Sequence, residues 1–215
     1  MIEIRNVTKI YDENTILDDI SLKFEEGKIY GIVGKNGSGK SVLLKILCGF
    51  IKPDKGEILF DDKDINKKQI FPPETGAMFE NSGFIPNISG FENLKLLAAI
   101  NNKISEEEII KNIDIINLKE EMNKKYYKYS LGMKKKLGIC QAIMENQKYI
   151  ILDEPFNGID DESLRKIKLQ LKKIKENKKI IIISTHIKED IKNLCDEVYK
   201  INNGKIVKIA QDKVD

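Results

Sequence analysis

Gly34-Lys35-Asn36-Gly37-Ser38-Gly39-Lys40-Ser41 has the composition and order of a phosphate-binding loop. Its glycines let the backbone curl until successive N–H groups point at one anion, and Lys40 adds a mobile positive charge suited to the β- and γ-phosphates of a nucleoside triphosphate. The Ser41 hydroxyl is of the type that ligates Mg²⁺ beside those phosphates. Ile29 to Val33 reads as an apolar strand leading into the loop, and Ser41 to Cys48 as a helix whose N-terminus adds partial positive charge at the same place. A chance glycine-rich turn is the competing explanation, and the strand-loop-helix setting argues against it.

Further groups stand at the ends of apolar runs. Tyr149-Ile150-Ile151-Leu152-Asp153-Glu154 places two adjacent carboxylates where ligand crevices form in α/β sheets. Asp153 suits Mg²⁺, and Glu154 suits a water that attacks a γ-phosphate; read alone, the segment is equally an ordinary turn beginning Asp-Glu-Pro. His186 is the one histidine of the chain and follows Ile180 to Ile183 and Ser184-Thr185, so it belongs to the same sheet edge. A contact to the γ-phosphate is preferred there over a purely structural role. Ser130 reads as the N-cap of a helix over Lys134 to Met144, which makes that helix end a second candidate anion site, expected far from its own phosphate loop. Without a second subunit it is simply a capped helix. Tyr11 could stack on a nucleobase or serve as packing.

The elements that must position these groups follow from patterning. Met1 to about Phe60 is strand-rich, with Ile16 to Phe24 and Gly56 to Phe60 flanking the loop region. About Glu80 to Asn146 apolar residues recur at helical spacing, with Ser105 as an N-cap, so an inserted helical lobe is expected. Tyr149 to Leu152 and Ile180 to Ile183 read as buried parallel strands joined by a crossover helix from about Asp161 to Lys175. Val198 to Ile201 and Lys205 to Ile209 read as a hairpin. The fold class is therefore α/β: a phosphate-loop core with a mostly parallel sheet, an N-terminal antiparallel region and the helical lobe at about 80–146, all within one domain over 1–215.

Composition narrows the function classes. The chain has 215 residues and carries Lys+Arg 37 against Asp+Glu 34, a net charge of +3 that gives no argument for nucleic acid. Lysine supplies nearly all of the positive charge, since only Arg5 and Arg165 are arginines, and the run Lys134-Lys135-Lys136 reads as the solvated face of a helix. Cys48, Cys140 and Cys195 are widely spaced in apolar stretches and read as reduced thiols in a cytosolic core. No stretch approaches the ~20 apolar residues needed to span a bilayer, so membrane association is expected through a partner.

Taken in order, these residues resemble the ATP-binding cassette ATPases over essentially the whole chain. Tyr11 matches the adenine-stacking aromatic, Gly34 to Ser41 the Walker A loop, Ser130-Leu131-Gly132-Met133 a variant signature, Ile150 to Asp153 the Walker B strand with Glu154 behind it, Asn157 to Asp160 the D-loop, and His186 the switch histidine. Leu131 and Met133 stand where the common signature has glycine and glutamine, and Glu80 stands where most members carry the Q-loop glutamine. Both departures are similar to the bacitracin and lantibiotic resistance subgroup, as is Pro86 to Leu94. The resemblance implies an ATP- and Mg²⁺-dependent ATPase subunit of a membrane exporter, peripheral on the cytoplasmic face. Two copies would close head to tail, with ATP between the loop of one, Gly34, Lys35, Asn36, Gly37, Ser38, Gly39, Lys40 and Ser41, and Ser130 and Gly132 of the other. It further implies Lys40 and His186 on the transferring phosphoryl group, Ser41, Asp153 and Glu80 at the metal, Glu154 at the attacking water, and a transmembrane permease meeting Glu80 to Leu97. A soluble clamp on DNA or ribosomes would need two cassettes or a long coiled coil, and a regulatory module without turnover would not need Glu154 and His186.

Overall fold

The computed structural model describes residues 1–65, 71–80 and 83–213. In chain order its elements are β1 (Ile2–Tyr11), β2 (Asn14–Phe24), β3 (Lys28–Val33), α1 (Lys40–Leu47), β4 (Lys55–Phe60), β5 (Lys63–Asp64), β6 (Thr75–Met78), α2 (Gly90–Asn101), α3 (Glu106–Ile115), α4 (Leu131–Ile143), β7 (Tyr149–Asp153), α5 (Asp161–Glu176), β8 (Ile180–Ser184), α6 (Lys188–Leu194), β9 (Glu197–Asn202) and β10 (Lys205–Ile209). One antiparallel sheet has the order β2-β1-β4-β5. The other runs β10-β9-β3-β8-β7-β6, parallel from β9 to β6 and closed on one edge by the antiparallel hairpin β9-β10. The expected α/β class, the parallel pair β7-β8 and the terminal hairpin are all present.

The period-2 alternation of strands explains how two short runs serve two cores. Every residue of β7 and β8 is buried. Tyr149, Ile151, Ile180 and Ile182 face one cluster with Leu43 and Leu47 of α1 and Phe24 of the antiparallel sheet. Ile150, Leu152, Ile181 and Ile183 face the other, with Leu137 of α4 and Ile167 and Leu171 of α5. Leu94 of α2 and Ile109 and Ile113 of α3 belong to that second cluster, so the helical lobe shares its core with the sheet. The C-terminal half of α4 lies so close to β6 that a Cβ on Gly76 would run into the carbonyl oxygen of Ala142.

The helices start where local chemistry satisfies their free N–H groups. Ser105 caps α3 in a reciprocal box with Glu108, and Ser89 does the same for α2 with Glu92. Ser130 accepts from the Met133 N–H at 3.3 Å and starts α4 at Leu131, three residues before the expected Lys134. Cys48, Cys140 and Cys195 are free and buried. Burial pushes the Cys48 and Cys195 thiols up to about 12, which leaves them inert as nucleophiles.

The lysine run of α4 is not a solvated face. Lys135 and Lys136 are each 7% exposed. Successive helical residues are about 100° apart, so three in a row cannot share one direction. Here Lys134 lies over the Tyr126 ring at 5.4 Å, while Lys135 and Lys136 turn inward to oxygen acceptors. Lys136 donates to the Asn117 carbonyl at 3.0 Å and the Ser163 hydroxyl at 3.2 Å, and pairs with Asp160 at 3.4 Å. These partners offset the cost of removing an ammonium from water.

Asp160 is also the N-cap of α5, accepting from the Ser163 N–H at 2.9 Å. That bond, with the Ser163 hydroxyl and Lys136, depresses its carboxyl to about 2. A carboxyl held below its unfolded value stabilises the fold above that value, and the contribution is lost as pH falls through the folded one. Asp160→Asn keeps a capping oxygen but removes the charge. Urea unfolding should therefore show the parent more stable than Asp160→Asn near neutrality, with the gap narrowing as pH falls from about 5 to about 3. A gap that stays constant over that range would contradict the assignment.

Candidate active site

Parallel pairing sets the level at which the site assembles. Ile32 of β3 lies opposite Ser184 of β8, and Ser184 lies opposite Asp153 of β7. The chain leaves three adjacent strands at one edge, into the phosphate loop, toward His186 and into Glu154. This is the carboxyl edge of the sheet, where crevices in α/β folds take ligands.

A cleft of about 590 Å³ opens there. The phosphate loop lines it with Asn36, Gly37, Gly39, Lys40 and Ser41; β1 contributes Tyr11 at its end; Glu80 comes from the segment after β6. Asp153, Glu154 and His186 line it as well, whereas Ser130 and Gly132 do not. Gly34, Lys35 and Ser38 of the phosphate loop are not among the lining residues, and Lys35 is exposed. Lys40, 5% exposed, donates its ammonium to the carbonyls of Gly34 at 2.9 Å and Lys35 at 3.2 Å. Tyr11 is 42% exposed with the Lys9 ammonium 5.0 Å from its ring centre, so its role is not consumed by core packing.

The carboxylates are held by a residue to which the sequence pattern attached no role. Ser184 is fully buried; its hydroxyl donates to Asp153 Oδ1 at 2.5 Å and accepts from the Glu154 N–H at 2.9 Å. The Glu154 N–H also reaches the Ser184 carbonyl at 3.2 Å. Glu154 itself adopts φ 46, a left-handed conformation costly for a side chain with a Cβ. Its carboxylate lies between two cationic or protonatable groups: His186 Nδ1 is 3.0 Å from Oε2, and Lys40 Nζ is 4.0 Å from Oε1. The only signal for Ser184 was its place at the end of an apolar run next to His186.

α4 borders the same cleft. Leu131 and Lys135 of this helix line it. Ser130 is exposed, and Gly132 approaches the Asp153–Asp160 turn so closely that a Cβ on it would meet the Gly158 carbonyl. Asn157 lines the cleft from that turn.

The residues fit a metal-bound triphosphate on chemical grounds. The Ser38 hydroxyl, inside the loop, is buried without a hydrogen-bond partner. A loop that curls its N–H groups around one point, with that hydroxyl unspent, is complementary to phosphate oxygens. Among the described residues no group of three or more His, Cys, Asp or Glu could hold a metal. One hydroxyl and one carboxylate, Ser41 and Asp153, make a sparse donor set of the kind that suits Mg²⁺ carried by a nucleotide, since such an ion keeps waters and phosphate oxygens as its other ligands.

Comparison with known proteins gives the family of the chain. Residues 17–157 match the family model described as ABC transporter. Over 206 residues the chain is 40% identical to an uncharacterized ABC transporter ATP-binding protein, YybJ, of Bacillus subtilis (strain 168), covering 96% of this chain and 94% of that one. It is 35% identical to the bacitracin transport ATP-binding protein BcrA of Enterococcus faecalis, covering 96% of this chain and 68% of that one. A solved dimeric structure of a bacterial ABC transporter cassette superimposes with a TM-score of 0.85 at 25% identity, covering 98% and 99% of the two chains. The phosphate loop, the carboxylate pair and the histidine thus sit on one sheet edge of a chain that belongs to the ABC transporter family, as one of its ATP-binding, ATP-hydrolysing subunits.

Proposed function

We propose that this chain drives a membrane exporter of a peptide antibiotic or a similar amphipathic compound, working as a head-to-tail pair against a transmembrane permease on the cytoplasmic face. The observation that carries the catalytic part is the Glu154 carboxylate poised between His186 at 3.0 Å and Lys40 at 4.0 Å in the cleft of the phosphate loop. The cargo class draws support from the bacitracin relative and from Glu80, Leu131 and Met133. No described helix is long and apolar enough to cross a membrane, which is consistent with a peripheral subunit. A net charge of +3 gives no reason to add nucleic acid as a partner. Residues 1–215 act as one ATPase domain with the lobe at about 80–146, a reading supported by the apolar cluster that joins α2 and α3 to β7 and β8.

In this mechanism Tyr11 stacks on the adenine, and the N–H groups of Gly34 to Ser41 cradle the phosphates. Lys40 shifts from the loop carbonyls to the β- and γ-oxygens, and His186 steadies charge on the transferring group. Glu154 takes a proton from, or orients, the attacking water. Bound Mg²⁺ would neutralise phosphate charge, and Ser41 and Asp153, with Glu80 on the same cleft, are the residues that would hold it. Ser130 and Gly132 at the start of α4 present N–H groups to the nucleotide of a second copy, so ATP joins the pair and hydrolysis releases it.

Glu154→Gln preserves shape while losing basicity. It should keep ATP binding, lower turnover by roughly 10²- to 10⁴-fold and leave an ATP-locked dimer. Phosphate release and size-exclusion chromatography with ATP measure both, and a variant that stays monomeric with ATP would count against head-to-tail closure.

Glu80 adds a negative charge to the cleft where a glutamine would add none, and it begins the segment assigned to the permease. Glu80→Gln should leave ATP affinity largely intact and change the ratio of permease-stimulated to basal hydrolysis. An unchanged ratio, measured with the permease copurified from membranes, removes Glu80 from the coupling route.

A further inference from the structure

We propose that Lys135 is a positioning residue for Glu154: its buried ammonium fixes the backbone of the catalytic carboxylate from the signature helix. The inference rests on the reading of Glu154 given above. Lys135 is 7% exposed, lines the cleft and donates to the Glu154 carbonyl oxygen at 3.1 Å.

Glu154 needs such support. At φ 46 it occupies the left-handed region, which is disfavoured for a residue with a Cβ. Ser184 grips its N–H from β8, through hydroxyl and carbonyl. Among the described residues no backbone N–H grips its carbonyl, since β7 ends at Asp153. Lys135 closes that side. With both ends of one peptide residue held, the direction of the Glu154 side chain toward His186 and Lys40 is set by backbone rather than by contacts that a nucleotide would break.

A bond to a carbonyl also satisfies the ammonium without neutralising it. A carboxylate partner would have cancelled the charge; the carbonyl leaves Lys135 as a positive group beside a site for polyanions. The same lysine stands on the helix whose first turn carries Ser130 and Gly132, and Gly132 abuts the Gly158 carbonyl. The helix end assigned to the nucleotide of a second copy and the backbone of Glu154 are therefore tied within one chain by a single side chain.

The test measures phosphate release and binding of a fluorescent ATP analogue for Lys135→Met, Lys135→Arg, Glu154→Gln and the Lys135→Met/Glu154→Gln double variant of the full chain. Lys135→Met should lose far more in turnover than in affinity: nucleotide binding weakens by no more than a few-fold through the lost charge, while kcat falls by about tenfold to a hundredfold, the scale of a small misplacement of a catalytic group. Lys135→Arg, which keeps a cationic donor, should recover most of that loss. The double variant should be no slower than Glu154→Gln, because Lys135 acts through Glu154. Parent-like kcat in Lys135→Met, or a further loss in the double variant, overturns the proposal; weakened binding with unchanged kcat makes Lys135 a phosphate ligand instead. Should Lys135→Met not fold, Lys135→Gln, one bond too short to reach the carbonyl, should show the same slow turnover, and parent-like kcat in it overturns the proposal equally. Glu154→Gln at the parent rate would sink the catalytic reading itself, an outcome distinct from a slow Glu154→Gln beside a fast Lys135→Met.

Discussion

Ser184 is a hydroxyl without access to solvent, and a buried hydroxyl must find partners or destabilise the fold. It finds them in Asp153 and Glu154, across the parallel β7-β8 ladder. The bonds exist only in the register that sets Ser184 opposite Asp153 and Ile32, and a slip of one residue would turn every side chain of the strand to the wrong face. The two isoleucine-rich faces of β8 and the polar contacts at its end therefore specify the same register. The height at which phosphate loop, carboxylates and histidine meet follows from it.

The two lysines of the cleft, which share it with the carboxylates of Glu80, Asp153 and Glu154, place their hydrogen bonds on backbone oxygens. Lys40 rests on the carbonyls of Gly34 and Lys35, and Lys135 rests on that of Glu154. Backbone oxygens satisfy the ammonium donors and offset part of their desolvation, yet they carry no net charge to cancel. Lys136, one residue further along α4, shows the contrasting arrangement. Besides the Asn117 carbonyl it has the Asp160 carboxylate as a partner, and it serves the junction of α3, α4 and α5 rather than the cleft.

The helical lobe does not float on the sheet. Leu94, Ile109 and Ile113 share an apolar cluster with Ile150, Leu152 and Ile181, and α4 is pressed against β6 at Gly76 and against the Asp153–Asp160 turn at Gly132. Interiors this closely fitted transmit displacement rather than absorb it. α2 and the start of α4 therefore belong to the same packed core as the strand that ends in the carboxylate pair.

The chemistry was legible in the sequence because its residues are contiguous or follow long apolar runs. Gly34 to Ser41 announces itself through glycine spacing, and Ile150 to Glu154 and Ile180 to His186 through apolar runs that suit buried parallel strands. Ser105 and Ser130 were legible as caps for a local reason, a side chain bonding an N–H three residues on. What was not legible depends on partners far along the chain. β6 reads Thr75-Gly76-Ala77-Met78, too short and too weakly apolar to mark a strand, and is one because β7 pairs with it and α4 demands a glycine there. Lys135 and Lys136 look like solvent-facing lysines until Glu154, Asn117, Asp160 and Ser163 are brought around them. Local pattern determined which groups exist and which element carries each; only tertiary structure decided which charges are buried and on what they rest, because burial and hydrogen-bond partners are properties of segments that meet in space.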